Sequence, residues 1–148
     1  MAYKNALSTY KETKVKTAGQ GQLIVMLYDE TLKQLTNAIE LLELNKAKKD
    51  PSRIELINKS IMKTEEILTE LMVSLDFEQG GEIAKNLFSL YTWFNRELVE
   101  ANINQDSNRI ITVKNLLTEL RNTWSTVANQ AIPAEKQNRE AAGLNIDG

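Results

Sequence analysis

The sequence predicts an all-α protein, an antiparallel up-down four-helix bundle with a short N-terminal arm. Glycine occurs at only six positions and proline at only two in the 148 residues. These helix-breaking residues divide the chain into four long segments. Within each segment apolar residues recur in alternating steps of three and four, which is the spacing of one face of an α-helix. Four such helices joined by short connections are expected to pack as an up-down bundle with crossing angles of about 20°.

The first predicted helix extends from about Gln20 to Asn45 and is followed by the loop KAKKDPS. Its core-facing positions are Ile24, Tyr28, Thr31, Leu35, Ala38 and Leu42. Asp50 is suited to cap the second helix because its carboxylate can accept backbone N–H bonds, and Pro51 fits the first helical position. The core-facing positions of the second helix are Ile54, Ile57, Ile61, Thr64, Leu68, Leu71 and Leu75.

The stretch DFEQGG is expected to end the second helix, because two consecutive glycines are common helix terminators. The core-facing positions of the third helix are Ile83, Leu87, Leu90, Phe94, either Glu97 or Leu98, and Ala101. The stretch NINQDS then breaks the pattern, and Asp106 or Ser107 is expected to cap the fourth helix. The core-facing positions of that helix are Ile110, Val113, Leu117, Leu120, Trp124, Val127 and Ala131.

Both ends of the chain lie outside this pattern. We expect one bundle domain over residues 1–131, in which residues 1–19 form a mobile arm and connector. Within the arm Tyr3, Leu7 and Tyr10 form a short amphipathic strip, which is too short to be a stable helix without a docking surface. Residues 132–148 combine Pro, Ala, Gly and charges and are predicted to be a disordered tail. The N-terminus lacks the apolar core of a signal peptide, which favours the cytoplasm.

Composition argues against several classes of function. The net charge is −2, so the chain has no overall positive charge for binding nucleic acid or anionic lipid. The longest apolar run, Leu23–Tyr28, is far shorter than the roughly 20 residues that cross a bilayer. Cysteine and histidine are absent, which removes the best nucleophile, the commonest general base and a ligand of ferritin-like di-iron sites. We expect no enzyme, no cofactor, no metal, no nucleic acid and no membrane insertion.

Several apolar residues lie off the predicted core faces. Met26 points away from the core in the first helix, and Phe88, Tyr91 and Trp93 lie off or beside the face of the third. A wide apolar face, as bundles often have, is one interpretation. The other is a set of apolar grooves that bind a partner. The candidate partner-binding residues are Tyr3, Leu7, Tyr10, Leu23, Met26, Tyr28, Phe88, Tyr91 and Trp93.

The segment YKETKVKTAGQGQLIVMLYD resembles the N-terminal signature of the FliS family, the flagellin-specific export chaperones of bacterial flagella. The matching positions are Tyr10, Val15, Thr17, Ala18, Leu23, Ile24, Met26, Leu27, Tyr28 and Asp29. The segment IAKNLFSLYTWFNRELVEAN resembles a second family pattern, and Leu120, Arg121 and Trp124 match a third. The resemblance covers about residues 3–130 in the family's order.

The resemblance implies a cytoplasmic four-helix bundle that holds the disordered C-terminal segment of flagellin, prevents its premature polymerisation and supports its delivery to the flagellar export apparatus. A contact with that apparatus or with a co-chaperone is compatible with this function. The alternative from a different class is a self-associating helical adaptor, whose grooves are filled by a second copy. A stable dimer in sedimentation would favour the adaptor, whereas a monomer that binds one flagellin peptide would favour the chaperone.

Overall fold

The computed structural model describes the backbone of residues 20–143 and the side chains of residues 21–129. The helices are α1 (Gln20–Ala47), α2 (Pro51–Val73), α3 (Phe77–Asn104) and α4 (Ser107–Gly143). No strand occurs in the described range, so the predicted all-α four-helix class is confirmed. Within that range no helix is both long enough and apolar enough to cross a membrane.

The chain divides into two compact units. The larger unit, Leu27–Thr118, contains most of α1, all of α2 and α3, and the beginning of α4. The smaller unit joins the first turns of α1 to α4 from Glu119 onward. In this smaller unit a Cβ atom on Gly21 would lie 3.0 Å from the Cβ of Ala128. Glycine therefore lets the backbones of α1 and α4 approach more closely than any larger residue would allow.

The core of the larger unit follows the predicted faces over most of their length. The predicted positions that are buried are Tyr28, Thr31, Leu35, Ala38, Leu42, Ile57, Ile61, Thr64, Leu68, Leu71, Phe94, Leu98, Ala101, Ile110, Val113 and Leu117. The two threonines satisfy their hydroxyls locally, because Thr31 donates to the carbonyl of Leu27 at 2.9 Å and Thr64 to that of Ser60 at 3.0 Å. These core predictions are confirmed.

Other core predictions are corrected. Ile54, Ile83 and Val127 are 47%, 69% and 47% exposed, respectively. Ile54 lies in the first turn of α2, where the helix end leaves room for solvent. In α4 Ala128 is buried instead of Val127, because a strict seven-residue repeat drifts by about 20° per repeat on a straight helix. The predicted core positions that are only half-buried are Ile24, Leu75, Leu87, Leu90, Leu120 and Trp124.

The start of α2 is confirmed. Asp50 is the N-cap and Pro51 the first helical residue. One carboxylate oxygen of Asp50 accepts hydrogen bonds from the backbone N–H of Ser52 at 3.0 Å and from its hydroxyl at 2.8 Å. These bonds favour the ionised form and lower the pKa of Asp50.

The predicted end of α2 is wrong, and the error moves the start of α3. The helix ends at Val73, before the stretch DFEQGG begins. Asp76 caps α3, because its carboxylate accepts the backbone N–H groups of Glu78 and Gln79, each at 3.0 Å. The two glycines are therefore not terminators. They lie inside α3, which is interrupted at Gly81 by a kink with φ 51° and ψ −124°.

The junction between α3 and α4 uses a left-handed residue and a carboxylate. Gln105 has a φ of 53° and donates its N–H to the carbonyl of Ala101. Of the two predicted caps, Asp106 acts as one by accepting the N–H of Asn108 at 3.0 Å. Ser107 is buried and donates its hydroxyl to the carboxylate of Glu43 at 2.7 Å. This bond and the ammonium of Lys46 lower the pKa of Glu43.

The fourth helix runs to Gly143, beyond the predicted end near Ala131, so this helix boundary is corrected. Pro133 lies within the helix. The division of the chain at residue 131 into a bundle and a disordered tail stays a prediction.

Polar side chains join the helices of the larger unit in pairs. Their donor and acceptor atoms lie between 2.7 and 3.1 Å apart. The pairs are Asn37 of α1 with Ser60 of α2, Asn58 of α2 with Asn102 of α3, Glu43 of α1 with Ser107 of α4, and Glu97 of α3 with Arg109 of α4. Within this unit they favour the up-down order of helices, which stays a prediction.

Candidate partner-binding surface

The structure separates the nine candidate residues by their exposure. Leu23, Tyr28 and Tyr91 are buried, with exposed fractions of 3%, 0% and 2%. Met26 and Trp93 are half-buried. Only Phe88 is exposed among the described candidates, at 42%. The three arm candidates, Tyr3, Leu7 and Tyr10, lie outside the described residues.

Tyr28 and Tyr91 form a buried pair that joins α1 to α3. Their hydroxyl groups are hydrogen-bonded to each other. Burial, and then the neighbouring Tyr28, raise the pKa of Tyr91 far above its usual value. The placement of Tyr91 at the edge of the helix face is therefore corrected: its ring belongs to the core, and its hydroxyl is satisfied by Tyr28. Direct contact of either tyrosine with a partner stays a prediction.

Phe88 is accompanied by a second exposed aromatic residue, which sequence reasoning missed. The Phe77 ring lies edge-on to the Phe88 ring with centroids 5.9 Å apart, and Phe77 is 46% exposed. The sequence prediction placed Phe77 in a loop that ended α2. The signal that could have found it is Asp76 followed three residues later by Gln79, which resembles a capping box at a helix start.

Trp93 lies beside the core residue Phe94. Its ring lies 5.8 Å from that of Phe94, which in turn lies 6.4 Å from the ring of Tyr91. Phe94 is fully buried and Trp93 half-buried. The tryptophan therefore packs partly against the core.

Two further exposed apolar residues continue along α3 on the side of Phe88. Val99 is 46% and Ile103 70% exposed. Eleven residues are close to three full helical turns, so Phe88 and Val99 share one side of the helix, and Ile103 follows one turn later. We call Phe88, Val99 and Ile103 the outer face of α3. Exposed apolar side chains aligned on one face, rather than scattered singly, are typical of a protein-binding surface.

The described range contains no group of three or more Asp or Glu residues that could hold a metal ion. A cleft of about 750 Å³ in the larger unit lies between α1 and α2. Its lining carries both signs of charge, including Asp29, Lys33, Glu40, Lys59 and Lys63. The outer face of α3 is therefore the better candidate for binding an apolar segment.

Comparisons with known proteins agree on one family. The family described as Flagellar protein FliS matches residues 3–131. The flagellar secretion chaperone FliS of Bacillus subtilis (strain 168) is 29% identical over 143 residues, which are 97% of this chain and 98% of the relative. That of Salmonella typhimurium (strain LT2) is 34% identical over 120 residues, 81% and 84% of the two chains.

The flagellar secretion chaperone FliS of Escherichia coli (strain K12) is also similar, at 32% identity over 114 residues, 76% of this chain and 79% of the relative. All three similarities extend through most of both chains, so they concern the whole helical domain rather than one motif. The family match itself includes α1, α2, α3 and the part of α4 up to residue 131. The chain belongs to the FliS family.

Proposed function

We propose that this chain is a cytoplasmic export chaperone that binds the disordered C-terminal segment of flagellin. Two facts support the proposal: the chain belongs to the FliS family, and its relatives are named flagellar secretion chaperones. The single structural observation that supports it most is the outer face of α3, which exposes Phe88, Val99 and Ile103 on one side of a helix. In the proposed complex, apolar side chains of the flagellin segment pack on this face.

The physical basis is recognition of an apolar helical segment by an apolar surface. A disordered segment pays an ordering cost when it folds on its partner, so a broad interface can bind with moderate affinity. Moderate affinity suits a chaperone, because the segment must be held in the cytoplasm and then released for export. While the segment is covered, it cannot take part in polymerisation. Delivery then requires a contact with the export apparatus or with a co-chaperone.

The N-terminal arm has two possible roles in this function. As a gate, Tyr3, Leu7 and Tyr10 occupy the client-binding surface in the free protein. The observed affinity for the client then falls in proportion to the fraction of molecules in which the arm is undocked. As a contact, they touch the client directly. Deleting residues 1–12 distinguishes these roles in calorimetry with a flagellin C-terminal peptide. A preserved or tighter affinity favours the gate, whereas a tenfold or larger loss favours the contact.

Calorimetry of the full-length protein with a flagellin C-terminal peptide also tests the proposed function itself. We expect one peptide per chain and a loss of affinity of at least tenfold in Phe88→Ser. The matched control is Leu56→Ser, since Leu56 is 50% exposed on α2. It should bind normally, and thermal unfolding of both variants should resemble that of the unchanged protein.

Two results would contradict the proposal. The first is an equal loss of peptide affinity in Phe88→Ser and Leu56→Ser, which would show that the outer face of α3 is not part of the interface. The second is a stable dimer in sedimentation that does not bind the peptide, which would favour the self-associating adaptor.

A further inference from the structure

We propose that the first turn of α3, Phe77–Gly80, is a hinged cap. In the free protein it folds back and covers part of Phe88, and it swings away when an apolar side chain of the partner takes the place of Phe77. The identity of that partner rests on the proposed function. The existence of the cap rests on the geometry of α3 alone.

The contact between the two rings requires a bent helix. An α-helix rises about 1.5 Å per residue, so residues eleven apart lie about 16 Å apart along a straight axis. The side chains of two phenylalanines cannot close that gap to the observed 5.9 Å between ring centroids. The contact therefore exists only because the chain bends between Phe77 and Phe88. A straight α3 separates the rings and leaves Phe88 uncovered on this side.

The bend occurs at a residue that is free to hinge. Gly81 has φ 51° and ψ −124°, a backbone conformation that is readily accessible only to glycine. A Cβ atom built on Gly81 would have no atom within 4 Å. The space where a side chain at Gly81 would lie is therefore open, so it is the positive φ rather than crowding that disfavours other residues there.

The cap carries its own hydrogen bonds. Asp76 accepts the N–H groups of Glu78 and Gln79, each at 3.0 Å, through its side chain and that of Gly80 at 2.7 Å through its carbonyl. These bonds join atoms within residues 76–80, so rotation at Gly81 breaks none of them. No residue from 76 to 83 is buried. Besides the contact between the two rings, opening the cap gives up the close packing of Gly80 on the buried Ala84.

The strength of that contact sets the size of the expected effect. An aromatic pair of this kind shifts the equilibrium between the closed and open cap towards the closed form by roughly two- to tenfold. Only open molecules bind the partner, so the observed affinity is the affinity of the open form multiplied by the fraction of molecules that are open. Removing the cap should therefore tighten binding by about three- to tenfold.

The cap can be tested without any partner, because the chain has only three phenylalanines. Full-length protein labelled with 4-fluorophenylalanine should give one fluorine NMR signal each for Phe77, Phe88 and Phe94. Phe94 is fully buried and serves as the internal reference. In Phe77→Leu the Phe88 signal should move while the Phe94 signal stays in place. An unchanged Phe88 signal would show that the rings are not in contact in solution and would overturn the cap.

The hinge is tested by a second variant that leaves both rings in place. Gly81→Ala disfavours the positive φ, so α3 should straighten and the Phe88 signal should move towards its position in Phe77→Leu. The matched control is Ile83→Ala, since Ile83 is 69% exposed, two residues after the hinge. It should leave the signal unchanged. A Phe88 signal in Gly81→Ala identical to that of the unchanged protein would overturn the hinge.

Calorimetry with the flagellin C-terminal peptide tests the competition. Phe77→Ala and Gly81→Ala should bind about three- to tenfold more tightly than the unchanged protein, and Ile83→Ala equally well. Weaker binding by Phe77→Ala would make Phe77 a contact for the partner and overturn the cap. If no protein binds the peptide, the assignment of flagellin as partner fails, while the fluorine signals still decide whether the cap exists.

Discussion

The two ends of α3 are built differently. Its C-terminal end is tied to neighbouring helices: Asn102 donates to Asn58 of α2 at 2.7 Å, and Glu97 accepts two hydrogen bonds from Arg109 of α4 at 3.0 and 3.1 Å. Leu98 is fully buried beside them. The N-terminal end is capped within its own first turn, is bent at Gly81 and buries none of residues 76–83.

Within this one helix, the C-terminal end is fixed to its neighbours and the N-terminal end is not. Buried apolar groups and hydrogen bonds between helices must be lost together when the C-terminal end moves, so that end opens only with the rest of the larger unit. The capping bonds of the first turn lie within residues 76–80, so a movement of that turn does not break them. We infer that α3 is anchored at one end so that the other can adapt to a partner.

The largest expected effect contrasts one residue from each end. Leu98→Ala should lower the free energy of unfolding by about 2–5 kcal/mol, because it removes a fully buried side chain and leaves a cavity. Ile83→Ala should change it by less than about 0.5 kcal/mol, since the side chain is 69% exposed. Urea unfolding measures both. A similar loss in the two variants would remove the distinction between the ends.

The pH dependence of the free energy of unfolding tests the buried pair of Tyr28 and Tyr91, which joins α3 to α1. Burial raises the pKa of Tyr91 above the usual 10, so between that value and the raised pKa the folded state keeps a proton that the unfolded state has lost. The stabilisation is therefore complete below about pH 10 and declines at higher pH by up to about 1.4 kcal/mol per pH unit. Urea unfolding from pH 9 to 11 should show this decline, and Tyr91→Phe should reduce its slope. An unchanged slope in Tyr91→Phe would place the titration elsewhere.

The smallest effect concerns the hydrogen bond between Asn58 and Asn102. A double-mutant cycle with Asn58→Ala and Asn102→Ala should give a coupling free energy of about 0.5–1.5 kcal/mol. Coupling near zero would mean that this bond does not help to anchor the C-terminal end. The same cycle with Glu97 and Arg109 should give less than about 1 kcal/mol, because Arg109 is partly exposed to solvent.

The anchored part of the fold could be predicted from the sequence because local signals and core packing agree there. Asp50 and Pro51 are a strong helix start, and Phe94, Leu98 and Ala101 form a regular face. The hinge could not be predicted in this way. Two consecutive glycines can either end a helix or lie within one. Which of these occurs here depends on whether Asp76 caps a new helix before them, and its capping bonds form only in the folded chain.

The candidate surface was predicted only in part, for a related reason. The alternating spacing selected Ile83 as a core residue, although its neighbour Ala84 is the one that is buried. The spacing assumes an uninterrupted helix, whereas α3 is kinked at Gly81. The apolar spacing placed Tyr91 beside the face of the helix, whereas its hydrogen bond with Tyr28, which is distant in sequence, exists only in the folded chain. Phe88 was placed correctly off the core face, since the helix is regular around it.

Hydrogen–deuterium exchange of the full-length protein, with and without the flagellin C-terminal peptide, tests the difference between the two ends most directly. We predict that the amides of residues 77–83 exchange fastest within α3 in the free protein and that those of 97–104 are well protected. On addition of the peptide, the largest change should occur within residues 77–92. Uniform protection along α3 in the free protein, or a change that is largest at residues 97–104, would contradict the account.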